Sequence, residues 1–132
     1  MERHFINPEG LPRPGTYTPV VTVRGGKLIH ISGQVPVDER GQLVGGEDLK
    51  AQTEQVYRNL GLALKGAGAT FQDVVKITTY IVNYKPEDRS VMHEVRSRHF
   101  SKDAPPASTL VGVQSLALAD YRVEIEAIAA TE

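Results

Sequence analysis

Asp73-Val74-Val75-Lys76-Ile77-Thr78-Thr79-Tyr80-Ile81-Val82-Asn83 is dense in β-branched residues and apolar on both of its alternating faces. That composition belongs to a central strand buried from two sides. Its two faces need two partners, and the flanking sequence supplies helices. Upstream, Leu49, Val56, Leu60, Leu64 and Ala67 fall at helical spacings between Asp48 and about Gly68, with Asp48 available as a cap and glycines at the end. Downstream, Pro86 suits the first turn of a second helix running to about Phe100. Val91, Val95 and Arg98 lie on one stripe of it, with Met92, His93, Arg96 and His99 beside them.

Further out, Val20 to Arg24 and Lys27 to Ser32 are strand-like runs joined by Gly25-Gly26, which reads as a hairpin. Gly33 to Asp38 is extended but contains Pro36, which suits a strand end, and Gly41 to Gly46 is a loop. Ser108 to Gln114 and Tyr121 to Ala130 are two more strands. The expected order is β-β-α-β-α-β-β, an α+β fold in a single domain over residues 1–132. Two helices cover only one face of such a mixed sheet. The second face of the central strand (Val74, Thr78, Tyr80, Val82) is not written for water, so self-association through it is the economical expectation. The alternative is a monomer whose N-terminal segment folds across that face.

The chain has no cysteine, which removes disulfides, thiolate nucleophiles and cysteine-based metal sites together. Its 15 basic and 16 acidic residues are scattered along the sequence, so no positive field draws it to nucleic acid. No apolar stretch approaches the roughly 20 residues needed to span a bilayer. The start, Met1 to Pro8, lacks the basic-then-apolar layout of a signal peptide, and a cytoplasmic protein is expected.

In the last strand, alternation sends Val123, Ile125 and Ala127 to one face and Glu124 and Glu126 to the other. Two carboxylates then share a face, roughly 7 Å apart. An acid partly desolvated there can pass protons near neutrality; the bland reading is that both face solvent or pair with basic neighbours such as Arg122. His4, His30, His93 and His99 form no metal-binding spacing, and His30 reads first as a hydrogen-bonded structural residue. No nucleophile elbow, Walker lysine or dinucleotide fingerprint is present, so no cofactor is expected.

Several segments together resemble the Rid superfamily, the reactive-intermediate deaminases, also labelled endoribonuclease L-PSP. They are Gly15-Thr16-Tyr17, Ile31-Ser32-Gly33-Gln34-Val35-Pro36, Asp73-Val74-Val75-Lys76, Pro106-Ala107 and Val123-Glu124-Ile125-Glu126-Ala127-Ile128-Ala129. The resemblance covers nearly the whole chain. It implies a chorismate-mutase-like α+β fold and a homotrimer whose sheets form a central barrel, with ligand clefts between subunits. It also implies hydrolysis of reactive enamines and imines to keto acids and ammonia. Carried over by position, Glu124 is the acid that activates water, Gly33 offers its backbone to the ligand, and Tyr17 and Ser32 line the cleft.

One departure stands out. Deaminase members follow Pro-Ala with an arginine that clamps the substrate carboxylate, whereas here Pro106-Ala107 is followed by Ser108. A serine hydroxyl cannot replace that charged fork, so weak activity on standard 2-imino acids is expected. His93 stands where deaminase members tend to carry an asparagine, and Arg96 and Arg98 follow it, so a relocated cation is one way to compensate. The first expectation is therefore an imine or enamine hydrolase or tautomerase. A non-catalytic trimer that binds a metabolite or docks on a partner is the second. A ribonuclease comes last, because aromatic residues are only 6% and the charge is near neutral.

Overall fold

A computed structural model describes residues 1–132. Its elements are β1 (Glu2–Ile6), β2 (Val20–Arg24), β3 (Lys27–Gln34), α1 (Leu49–Gly66), β4 (Val74–Val82), α2 (Asp88–Arg96), β5 (Ala107–Val113) and β6 (Val123–Thr131). Four strands form one mixed sheet in the order β3-β6-β4-β5, and β1 and β2 form a separate two-stranded ribbon. The β4 strand is interior, as its two-faced apolar pattern requires. It runs antiparallel to β6 and parallel to β5, and α2 provides the crossover that a parallel pair needs.

Both helices lie on one face. Val56, Leu60 and Leu64 of α1 and Met92 and Val95 of α2 pack with Ile77 and Ile81 of β4 and Val123, Ile125, Ala127 and Ala129 of β6. Each fully buried aliphatic side chain in this layer contributes about 1.5–3 kcal/mol. The Asp48 carboxylate accepts from the Lys50 amide at 3.0 Å to start α1. Gln52, fully buried, donates to the carbonyls of Gly46 and Asp120 and accepts from the Arg122 amide, tying two loops to the helix.

Four expectations need correction. The Val20–Ser32 region does not close into a hairpin: β2 pairs only with β1, and β3 pairs only with β6. Gly25 and Gly26 both sit at φ +77, so the turn redirects the chain instead of folding β2 back on β3. The strand Glu2–Ile6 was not expected at all. Val74 lies in the core rather than on the second face, because a register irregularity between Val74 and Lys76 inserts one residue and reverses the alternation. Finally, α2 is shorter than expected. Asp88 accepts from the Lys85 amide before it, and after Arg96 tight turns carry His99 and Phe100 under Tyr57 and Phe71.

The second sheet face is open. Leu28 is 55% exposed there and Val111 37%, and Tyr80 and Glu126 face each other in an exposed pair. The N-terminal segment does not lie across it. Arg3 instead donates to the Gln72 carbonyl at 2.9 Å, at the lower end of β4, and Thr18 bonds to Pro105 and Pro106 before β5.

Candidate functional site

The first group of site residues gathers between α2 and β5. Thr18, buried, donates its amide to the Pro106 carbonyl at 3.2 Å and its hydroxyl to the Pro105 carbonyl at 2.5 Å. These bonds hold Thr16 and Tyr17 against the groove. On the helix, Arg89, His93 and Arg96 follow one another at i, i+4 and i+7 and so share a stripe. On β5, Ser108 pairs with buried Ile77 and points to the same helix-covered side. The result is a cavity of about 530 Å³ whose polar lining includes Thr16, Tyr17, Arg89, Ser90, His93, Arg96 and Ser108.

Within it, an Arg96 guanidinium nitrogen, Nη1, donates to Ser108 Oγ at 3.4 Å. Partial burial weakens the hold of Arg96 on its proton. A guanidinium nevertheless stays charged in proteins, so the cavity contains a poorly solvated cation with donors to spare. Arg98 is turned the other way, onto Glu54 at 2.7 Å and Glu94 at 3.5 Å. Of the two arginines after His93, only Arg96 reaches the cavity.

The second group lies at the opposite side of the sheet. The ladder between β3 and β6 shifts register between Ile31 and Gln34, and Gly33 sits in that irregularity. A methyl group on Gly33 would collide with the Glu124 carboxylate, which rests directly on the glycine. Glycine is required here for space, since its backbone is not in the left-handed region. Ser32 is exposed beside it on the open face. Glu124 and Glu126 share that face, as strand alternation predicts, and they differ in environment. Glu124 is half-buried, whereas exposed Glu126 accepts from the Tyr80 hydroxyl at 2.5 Å and thereby raises the phenol's pKa.

Tyr80 separates the two groups within one chain. It pairs across β4 with Glu124 on one side and Val111 on the other, so Glu124 stands about 10 Å from β5 at the usual strand spacing. Glu124 also faces the open side, and Ser108 faces the helices. Tyr17, His93, Arg96 and Ser108 are therefore brought together, while Ser32, Gly33 and Glu124 form their own cluster. Arg89 and Thr16 were missed by the sequence reading. The helical spacing of Arg89 to His93 and Arg96 is a usable signal, and Thr16 adjoins Tyr17 in the Gly15-Thr16-Tyr17 segment that carries the resemblance. His30, expected as a hydrogen-bonded structural residue, is exposed on the open face of β3.

Comparison with known proteins bears on the family and the fold. Residues 11–131 match the sequence profile of the family described as endoribonuclease L-PSP. A RutC family protein of Pyrococcus abyssi is 39% identical over 134 residues, covering 100% of both chains. A 2-iminobutanoate/2-iminopropanoate deaminase of Dermatophagoides farinae is 31% identical over 131 residues, covering 98% of each. The crystal structure of YyfB from Yersinia pestis, a Rid family protein itself of unknown function, superposes with a TM-score of 0.91 at 40% identity. That superposition covers 99% of this chain and 100% of the other, which leaves little room for the β1–β2 ribbon to be placed differently in the two.

Proposed function

The chain belongs to the endoribonuclease L-PSP family, to which the Rid proteins are assigned, and from that footing we propose that it is a cytoplasmic homotrimeric enzyme. Its clefts between subunits hydrolyse or tautomerise a small imine, enamine or related electrophile. The observation that carries this reading is the division of the site. The α2–β5 cavity is lined by Arg89 and Arg96 and by no carboxylate, whereas the Glu124 carboxylate stands apart from it, against Gly33 in the β3–β6 cluster. Each half is completed by the other half of a neighbouring chain, which a ring of subunits supplies. The open sheet face gives that ring its inner wall.

In the joined cleft, Arg96 holds the anionic end of the substrate, with Ser108 and Tyr17 fixing its orientation. Glu124 takes a proton from water as the water oxygen bonds to the imine carbon, and the same proton passes to nitrogen. Glu124 then takes the hydroxyl proton of the carbinolamine and passes it to nitrogen, and as the carbon–oxygen double bond forms the carbon–nitrogen bond breaks, releasing a carbonyl compound and ammonia. Backbone donors near Gly33 steady the charge that develops. Since Arg96 approaches from the helix and not from β5, its guanidinium presents a different angle from that of a clamp on the strand. Standard 2-imino acids are accordingly weak substrates.

The test generates 2-imino acids with an amino-acid oxidase and traps survivors with semicarbazide. The wild type is compared with Glu124→Gln and Ser108→Arg. Faster imine loss with the wild type, abolished in Glu124→Gln while the trimer persists, supports the reading. Activity only in Ser108→Arg means an intact site whose natural ligand lacks the carboxylate. No turnover in either, with thermal stabilisation by metabolites, replaces the enzyme with a binding module.

A further inference from the structure

We infer that the β1–β2 ribbon is exchanged between subunits, so that β2 of one chain completes the sheet of its neighbour along the outer edge of β3. This rests on the ring of subunits proposed above.

Two strand edges are vacant in one chain. On its outer side β3 has no partner, and β2 has none on the side away from β1. No loop or turn backbone hydrogen bond reaches residues 20–24 or 27–34 to satisfy them. Open edges of this kind are templates for pairing with another chain. The two strands are consecutive and separated only by Gly25-Gly26, a sequence suited to a tight hairpin, yet they do not pair with each other.

What prevents them is the anchoring of the ribbon elsewhere. Arg3 bonds to Gln72 and lies 4.0 Å from Asp73, and Thr18 is pinned to Pro105 and Pro106. The start of β2 is thus fixed beside β5, at the opposite edge of the sheet from β3. Gly26 is packed onto the end of β6, where an added methyl would meet the Thr131 carbonyl. In a ring that joins the two half-sites, the β5 edge of one chain faces the β3 edge of the next. The ribbon starts at β5 and runs on below β4 to the end of β6, with Arg3 at Gln72 and Met1 at Glu132, and its unpaired β2 edge is left for the neighbour's β3. Exchange of an element preserves the contacts of the closed form it replaces. The turn register therefore places Val21 beside His30, and Val23 beside Leu28, of different chains.

The native chain has no cysteine, so a single engineered pair reports on this contact alone. Val21→Cys/His30→Cys is oxidised in native buffer and run on a denaturing, non-reducing gel. Light scattering gives the mass in solution, and free thiols are titrated. Val23→Cys/Leu28→Cys repeats the measurement if the first pair impairs folding. Covalent dimers and trimers are expected, absent from either single-cysteine parent. A disulfide closed within one chain, or free thiols in an intact trimer, overturns the exchange and leaves the ring standing. A monomeric mass overturns both.

Discussion

The guanidinium of Arg96 meets the hydroxyl of Ser108 at 3.4 Å, across the groove between α2 and β5. The guanidinium enters the cavity from the helix, and the small side chain of Ser108 on the strand leaves room for it. Arg96→Met should raise the KM for any carboxylate substrate roughly ten- to a hundredfold, the worth of a charge-assisted hydrogen bond of about 1.5–3 kcal/mol. Ser108→Ala should change it much less. Steady-state kinetics separate the two; equal effects would remove Arg96 from binding.

Gly33→Ala places a methyl group where the Glu124 carboxylate rests. Either Glu124 swings away or the β3–β6 ladder yields, at about 1–3 kcal/mol. Turnover should fall toward that of Glu124→Gln, with a lowered melting temperature that Glu124→Gln does not share. Thermal melts together with kcat check this, and wild-type turnover in Gly33→Ala would detach Glu124 from that position.

Arg98 offers a contrast to Arg96. It is exposed and paired with Glu54 and Glu94 on the far side of the helix. Arg98→Ala should leave KM and kcat unchanged and cause a small loss of stability that vanishes in high salt, as exposed pairs are screened. Melts at two salt concentrations, with kinetics in parallel, decide it.

His99 lies stacked on Tyr57, with ring centroids 4.8 Å apart, and against Phe71. Burial lowers its pKa, and Arg98 lowers it further. The unfolded chain therefore takes up this proton first, near pH 6.5, while the folded chain still excludes it. The contribution of His99 to stability is complete above about pH 6.5 and falls as the pH drops toward the lower folded value. The wild type should lose more melting temperature than His99→Phe between about pH 7.5 and about pH 5.5.

The strands and helices of the main sheet were legible because their periodicity is written in side chains that the core then buries. Ile77 and Ile81, Val56 and Leu60, and Val123 and Ile125 each mark a face. The ribbon was not legible, for two reasons. Glu2-Arg3-His4-Phe5 shows little apolar character, since only Arg3 and Phe5 are half-buried. A Gly-Gly turn specifies backbone angles and not the identity of the strand's partner. At the site, alternation within one strand put Glu124 and Glu126 on a common face, and only the family resemblance singled out Glu124. The gathering of Tyr17, Arg96 and Ser108 depends on how α2 crosses β5 and where Thr18 is pinned, and neither is encoded in local spacing. His99 was read as one of a helical stripe, whereas the helix had already ended.

The vacant edge of β3 bears on how large an assembly grows. A ribbon laid on another chain's edge joins two unlike surfaces, so each addition leaves a new acceptor at the end of the row. Growth stops only where the rotation per step returns to the first chain; otherwise the same contact propagates as a filament. The angle at Gly25-Gly26 helps set that rotation, with both residues in a backbone conformation that side chains rarely adopt. Two small residues at a bend thereby become the point at which a closed particle is distinguished from a fibre.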